Sequence, residues 1–173
     1  GDGDYVKPSS DSFYPACQSS CEDPITIVAW VKSSNYSQET AIAGRFDSDS
    51  SSHWENYGSG LKYINGSIAL MGRQNGDNAL LTYDISDSEW HHVVGITNTA
   101  SGKLYVDGIL VDSGTLDSGY TYDFCIGAQC NDGNSHNFDG LIDHVQVYDY
   151  ALDAAQVAWA YNRGKPMAHY KFD

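Results

Sequence analysis

Short segments of alternating apolar and polar residues, separated by turn-forming residues, dominate this sequence. Residues 25–31 read Ile-Thr-Ile-Val-Ala-Trp-Val, a β-branched run that is typical of a strand. Asn65-Gly66 and Asp107-Gly108 each stand between two such runs, and these dipeptides favour the type I′ turns of two-residue β-hairpins. The pattern therefore predicts an all-β fold in which two antiparallel sheets pack as a sandwich.

The same reading sets the order of elements along the chain. Leu152 to Asn162 departs from the period of two, because its apolar residues have helical spacing, and it predicts one short C-terminal helix that stops before Gly164 and Pro166. Ala168 to Phe172 alternates again and predicts a last strand. The other predicted strands are residues 25–31, 40–46, 60–64, 67–71, 79–83, 90–97, 103–106, 109–112, 124–128 and 141–148.

Length and charge bound the possible partners. The chain has 173 residues, enough for one domain over residues 1–173. Its 9 basic and 23 acidic residues leave a net charge of −14, which disfavours nucleic acid and anionic membranes as partners. No apolar run approaches the roughly 20 residues of a membrane span, so we expect no membrane insertion.

The four cysteines form two local pairs, Cys17/Cys21 and Cys125/Cys130. They lack the Cys-x-x-Cys spacing of a zinc site, and an even count in a chain rich in Asp, Ser and Gly suggests disulfides. Pairing within each local pair is the simplest expectation, although the connectivity cannot be read and reduced, buried thiols are the alternative. Disulfides would indicate an extracellular or cell-surface protein.

Several of these segments together resemble a known family. They are Gly3 to Val6, Ile25 to Lys32, Trp90-His91-His92-Val93-Val94, Leu104-Tyr105-Val106-Asp107-Gly108, and Phe138 to Tyr148 followed by Ala151-Leu152. In this order they resemble laminin G-like domains of the concanavalin A-like lectin/glucanase superfamily. The resemblance implies a two-sheet antiparallel jelly roll. The chain departs from the family at His144, where Glu is usual, and in the inserted Cys17/Cys21 segment.

The resemblance also bears on the two ends of the chain. Members usually begin with a strand that is similar to Ala168 to Asp173, which here lies at the back. Residues 168–173 are therefore either this domain's own closing strand or the start of a following module in a larger multidomain protein. We favour the closing strand, because the first and last strands are neighbours in this fold.

Enzymatic activity is not expected. Glycanases of this superfamily carry two Glu close together on one strand, as acid and nucleophile. This chain has no Glu-x-Asp-x-Glu motif, and both Glu55 and Glu89 stand alone. His91 and His92 are adjacent in a predicted strand, so their side chains point to opposite faces and cannot converge on one ion. The sequence predicts a non-catalytic protein.

Calcium is the expected metal, because Ca²⁺ prefers hard oxygen ligands such as Asp carboxylates. Asp2 and Asp4 lie near the front of the chain, and Asp139 and Asp143 lie near the back. The two ends meet in a jelly roll, so these four residues predict a Ca²⁺ site. The alternative is that Asp139 and Asp143 only accept hydrogen bonds from turn amides. A weaker candidate at residues 131–134 is better read as a turn.

A ligand site is expected in the loops of the middle third of the chain. Sugar rings dock on aromatic faces while planar polar side chains hold their hydroxyls. The candidates are Arg45, Asp47, His53, Trp54, Tyr57, Arg73, Gln74, Asn75 and Asn78. The sequence thus predicts a calcium-stabilised extracellular module that binds carbohydrate or a glycosylated surface. The alternative is a structural or adhesive spacer of a surface protein with no ligand of its own.

Overall fold

Strands account for most of the described structure. The computed structural model describes residues 5–8, 24–46, 58–74, 77–85, 87–116, 123–129 and 136–162. The elements are β1 Ile25–Lys32, β2 Glu39–Phe46, β3 Gly58–Ile64, β4 Ser67–Gln74, β5 Asp77–Asp84, β6 His91–Asn98, β7 Ser101–Val106, β8 Ile109–Gly114, β9 Phe124–Ile126, β10 Leu141–Tyr148 and α1 Ala154–Asn162.

The strands form two five-stranded antiparallel sheets. Sheet one has the order β10-β1-β6-β7-β8, and sheet two has the order β5-β4-β3-β2-β9. Hairpin neighbours pair within each sheet, whereas β1–β10 and β2–β9 join segments that are distant in sequence. The antiparallel sandwich predicted from the sequence is confirmed.

The core lies between the two sheets. Ile27 and Val31 of β1 pack there with Leu61 and Leu70 of sheet two, and all four side chains are buried. Gly95 of β6 lets the sheets approach closely, because a Cβ atom at this position would stand only 2.7 Å from a methyl carbon of Leu70. Burial of these apolar surfaces is the main driving force for such a fold.

Strand β1 is also buried on its other face. Val28 packs with Val94 and Tyr105 of neighbouring strands. These side chains contact Val157 of α1 and Leu152, which lies two residues before the helix. Because α1 covers this face, β1 is apolar on both sides instead of alternating strictly between apolar and polar residues. The helix therefore forms a third layer over the outer face of sheet one.

Both predicted tight hairpins are present. Asn65 and Gly66 have φ of 47° and 88°, and Asp107 and Gly108 have φ of 51° and 80°. Positive φ at both central residues is the requirement of a type I′ turn, and Gly, Asn and Asp tolerate it best. These local dipeptides therefore set the register of β3–β4 and β7–β8 as the sequence indicated.

Several strand ends differ from the sequence-based expectation by one to three residues, and two boundaries have informative differences. Strand β9 ends at Ile126 instead of residue 128, because Gly127 has φ of 81° and its amide donates to the Ile42 carbonyl. Helix α1 begins at Ala154 instead of Leu152. The predicted strand 168–172 lies outside the described residues.

A β-bulge in β10 explains the family departure at His144. The register with β1 shifts between Val28 and Trp30, and His144 has φ of 50°. Histidine is among the residues that tolerate this left-handed conformation best. The carboxylate of Asp143 accepts the His144 amide at 2.7 Å and so supports the bulge.

Cys125 is buried in β9, and its sulfur is disulfide-bonded. Cys17, Cys21 and Cys130 lie outside the described residues, so the local pairing stays a prediction. Across the described chain, no helix has the length and apolar character needed to cross a membrane.

Candidate functional site

The predicted ligand loops leave sheet two at one end. Strand β2 ends at Phe46, β3 begins at Gly58, β4 ends at Gln74 and β5 begins at Asp77, and these strands are sequential neighbours in the sheet. Their antiparallel order places the strand ends that flank residues 47–57 and 75–76 at the same end of sheet two. The backbone thus supports treating the two loops as one region.

The individual loop candidates are only partly within the described residues. Arg45 is buried in β2, with 4% of its surface exposed, and pairs in register with Ser59 and Phe124. Arg73 and Asn78 are opposite each other in the β4–β5 ladder, and Gln74 is opposite Asp77. The remaining candidates, Asp47, His53, Trp54, Tyr57 and Asn75, lie outside the described residues, so this ligand site stays a prediction.

On the outer face of sheet two, a phenylalanine ring packs directly on three glycines. Cβ atoms placed on Gly44, Gly58 and Gly60 would lie 2.8, 2.6 and 3.0 Å from carbons of the Phe46 ring. The ammonium of Lys62 stands 5.7 Å from the centre of that ring, a distance at which cation–π attraction operates. This face is thus packed and buried within the described residues.

An open groove lies instead on the other sheet, beside α1. It has a volume of about 410 Å³ and is lined by three aromatic side chains, Tyr148, Tyr150 and Trp159. Tyr150 and Trp159 are 45% and 65% exposed. The rings of Tyr148 and Tyr150 meet edge to face, with centres 5.5 Å apart, and burial followed by the neighbouring Tyr150 raises the pKa of Tyr148. We call these residues, with Asp153 and Gln156, the aromatic groove.

Two polar side chains of the aromatic groove are held by the helix cap. Gln156 donates its backbone amide to Asp153 Oδ1 at 2.8 Å, and Asp153 donates its amide to Gln156 Oε1 at 2.8 Å. This reciprocal capping box fixes both side chains. Asp153 Oδ2 and Gln156 Nε2 have no hydrogen-bond partner among the described residues, which leaves one acceptor and one donor available on the two residues of the capping box.

The far end of α1 is anchored on a second aromatic cluster. Tyr161 stacks on Trp30 with ring centres 5.9 Å apart and meets His92 at 5.7 Å. A Cβ on Gly108 would lie 3.0 Å from the Tyr161 ring, so this glycine lets the ring settle over the β7–β8 turn. His92 is therefore a packing residue, which fixes the helix that forms one wall of the groove.

His91, the residue before His92, faces the opposite side of β6, as expected for adjacent strand positions. Its Nδ1 lies 2.8 Å from Asp107 Oδ2 and its Nε2 lies 2.9 Å from Asp87 Oδ1. Partial burial alone would lower the pKa of His91, but the hydrogen bonds to Asp107 and Asp87 outweigh it and raise the pKa above its usual value. We call these three residues the His91 clamp.

The two described members of the predicted calcium set have protein partners. Asp139 Oδ2 accepts a hydrogen bond from Asn35 Nδ2 at 2.9 Å, and this bond is the main cause that lowers the pKa of Asp139. Asp143 supports the bulge described above. Among the described residues, no group of three or more His, Cys, Asp or Glu is arranged to hold a metal ion. Asp2 and Asp4 lie outside those residues, so the calcium site stays a prediction.

The described residues contain no pair of glutamates that could act as acid and nucleophile. Within those ranges Glu39 starts β2 of sheet two, and Glu89 lies in the loop before β6 of sheet one, so the two do not share a strand. Retaining glycosidases need two carboxyls about 5–5.5 Å apart. The aromatic groove instead offers exposed rings and fixed polar atoms, which can contact a ligand.

The fold and the aromatic groove define a lectin-like sandwich of the kind used by binding domains. The profile of a laminin G family, described as Concanavalin A-like lectin/glucanases superfamily, matches residues 1–158. The chain belongs to this superfamily. No curated protein matches it significantly.

Solved structures with a similar fold include two binding domains of botulinum neurotoxins and a type C neurotoxin structure. The type G receptor-binding domain has a TM-score of 0.60 and 17% identity, and the match covers 82% of this chain and 38% of that one. The DC binding domain, in complex with SialylT, has a TM-score of 0.60, 14% identity and coverages of 93% and 39%. A type C neurotoxin structure, where cell entry depends on two ganglioside molecules, has a TM-score of 0.61, 13% identity and coverages of 94% and 40%. The chain spans about two-fifths of each of these chains.

Sequence reasoning missed the aromatic groove. Its three rings are separated by up to 11 positions and by a change from strand to helix. One signal was available: Trp159 stands two residues after Val157, about 200° around the helix, so the two side chains cannot both face the sheet. A large aromatic residue on the helix face that is turned away from the core is a candidate contact residue.

Proposed function

We propose that this chain is a carbohydrate-binding module and that the aromatic groove is its binding site. The observation that carries the proposal is the combination of exposed Tyr150 and Trp159 with the fixed polar pair Asp153 and Gln156. Sugars need this combination, because their rings have apolar C–H faces and a rim of hydroxyls. The groove volume of about 410 Å³ falls in the range of small-ligand sites.

Preorganisation favours binding in this groove. The capping box holds Asp153 and Gln156 before a ligand arrives, and Val157 and Tyr161 hold the helix on the sheet. A site that is already ordered loses less conformational entropy on binding. Aromatic side chains also have few rotatable bonds, so they supply contact area at low entropic cost.

The relatives support the same class of ligand. The superfamily includes lectins. Among the similar solved structures, one is a receptor-binding domain, one binding domain is in complex with SialylT, and one belongs to a toxin whose cell entry depends on two ganglioside molecules. At 13–17% identity these likenesses establish the fold alone, so the ligand class is an inference for this chain. An extracellular or cell-surface setting is part of the proposal, because that is where such receptors are exposed.

The direct test is a glycan array with matched tyrosine variants. Tyr150→Ala removes a ring of the groove, whereas Tyr83→Ala removes a ring with almost the same exposure, 45% against 44%, from the other sheet. We expect Trp159→Ala and Tyr150→Ala each to weaken binding about fivefold or more, since stacking on an aromatic side chain contributes roughly 1–3 kcal/mol where nucleic-acid bases do so. Tyr83→Ala should bind like the wild type. Equal losses in both tyrosine variants would contradict the proposed site.

The middle-third loops remain the alternative site for the same function. Trp54→Ala on the same array separates the two locations. Loss of binding with Trp54→Ala and retention with Trp159→Ala would move the site to the end of sheet two. The opposite result would support the aromatic groove.

The alternative function is a structural or adhesive spacer without a ligand. The acidic, packed sandwich is compatible with that role. Absence of binding on broad glycan arrays, together with unchanged stability of Trp159→Ala, would favour the spacer. Specific glycan binding that depends on Trp159 would exclude it.

Calcium is proposed as a stabiliser at Asp2, Asp4, Asp139 and Asp143. A bound ion would join the two ends of the chain and stabilise only the folded state, by about 2.7 kcal/mol at a hundredfold excess over Kd. We expect EDTA to lower the Tm and Asp143→Ala to abolish that response. An EDTA-insensitive Tm would contradict the site.

A further inference from the structure

The charged residues described at the aromatic groove are acidic. Asp153 lines the groove, and Asp149 is exposed on the turn that leads into it. No described Lys or Arg lines the groove. Of the described lysines in sheet one, Lys103 is three strands from Tyr148, roughly 14 Å at about 4.8 Å per strand, and Lys32 is six residues along β1 from the partner of Tyr148, roughly 20 Å.

The hydrogen-bonding chemistry points in the same direction. The available oxygen of Asp153 can only accept, so the ligand atom beside it must donate. A sugar hydroxyl can donate to Asp153 and accept from Gln156 at the same time. A carboxylate, sulfate or phosphate group has no hydrogen to donate and would face the Asp153 charge directly.

The charge of Asp153 also acts on a tyrosine beneath the helix. Tyr105, which packs beneath α1, has a pKa raised first by burial and then by the charge of Asp153. Asp153 itself is exposed, and salt screens the field of an exposed charge. Repulsion of an anionic ligand in the groove should therefore be strongest at low ionic strength.

We propose, building on the proposed function, that the aromatic groove selects uncharged sugars and rejects their sialylated, sulfated or otherwise anionic forms. The distinguishing elements are the acceptor-only Asp153, the donor of Gln156 and the aromatic platforms. The ligand class is thus a neutral saccharide that presents a ring face to Trp159 or Tyr150 and a hydroxyl to Asp153.

The test uses a glycan array of matched pairs, each a neutral oligosaccharide and the same oligosaccharide with one sialic acid or one sulfate at the terminal ring. We expect the neutral member of the bound pairs to bind at least tenfold more tightly, equivalent to about 1.4 kcal/mol. Asp153→Asn removes the charge but keeps a residue that caps helices well. It should therefore reduce the ratio of the neutral-member affinity to the anionic-member affinity by about tenfold. Circular dichroism checks that the helix is retained.

The outcomes separate the two proposals. Tighter binding of the anionic members, lost in Trp159→Ala, would overturn the charge selectivity while leaving the groove as the glycan site. An unchanged ratio in Asp153→Asn would also overturn the role of Asp153. Binding of no glycan of either kind would overturn both the selectivity and the proposed function.

Discussion

Helix α1 should depend on one buried valine for its attachment to sheet one. Val157 is 0% exposed and packs against Val28, Val94 and Tyr105. The substitution Val157→Ala removes two methyl groups from this contact, a loss of about 1.6 kcal/mol in transfer free energy at roughly 0.8 kcal/mol each. A residual cavity raises the cost to about 2–3 kcal/mol.

Helix propensity opposes part of this loss. Alanine is the better helix former by up to about 0.6 kcal/mol. We therefore expect Val157→Ala to lower the free energy of unfolding by about 1.5–2.5 kcal/mol, which for a chain of 173 residues means a Tm lower by about 4–8 °C. Chemical denaturation, with an unchanged m-value, measures the free energy directly.

Trp159→Ala is the matched control on the same helix. Trp159 is largely exposed, so its removal should change stability by no more than about 0.5 kcal/mol. The two variants should separate stability from function: Val157→Ala should melt earlier yet bind glycan normally at 25 °C, and Trp159→Ala should do the reverse. A Val157→Ala variant as stable as the wild type would refute the anchoring of α1 described here.

Further predictions concern other parts of the fold. The pKa of His91 is raised in the folded state, so the stabilisation by the His91 clamp is complete below the unfolded pKa and is lost as pH rises through the folded pKa. The stability difference between wild type and His91→Gln should therefore shrink as pH rises above the usual histidine pKa of about 6.5. A constant difference would contradict this. Gly60→Ala should destabilise by about 2 kcal/mol or more, since its Cβ would lie 2.5 Å from a backbone oxygen at a φ of 145°, whereas Gly66→Ala, at φ 88° with open space, should cost only about 1 kcal/mol by denaturation. Deleting residues 167–173 should unfold or dimerise the protein if they close a sheet, as size-exclusion chromatography and melting would report; an unchanged monomer would make the segment a linker.

Local sequence signals predicted most of the strands well. Asn65-Gly66 and Asp107-Gly108 determine their turns through backbone preferences of two residues, so no distant contact is needed to predict them. The limits of β9 were predicted less well. This strand ends at Ile126 because Gly127 turns to meet Ile42, a residue more than eighty positions away, and periodicity contains no information about that contact.

The candidate side chains show the same difference between what local sequence predicts and what distant contacts decide. The sequence identified His91 and His92 as structural, because alternation along a strand separates adjacent residues. It could not identify the carboxylate partners of His91, since Asp87 and Asp107 meet it only when the loop before β6 and the β7–β8 turn come together. Arg45 carries a charge typical of the surface, yet the pairing of β2 with both β3 and β9 buries it.

The sequence by itself determined the class of fold, the two tight hairpins, the short helix and the acidic surface. Each of these depends on residues close together in the chain, or on composition alone. The tertiary structure alone decided the aromatic groove. Tyr148 ends β10, Tyr150 follows it in the next turn, and Trp159 belongs to α1. The three rings share one groove only because Val157 and Tyr161 fix the helix on the outer face of sheet one. Where a helix rests on a sheet depends on the fit of side chains from several distant strands, and that fit exists only in the folded protein.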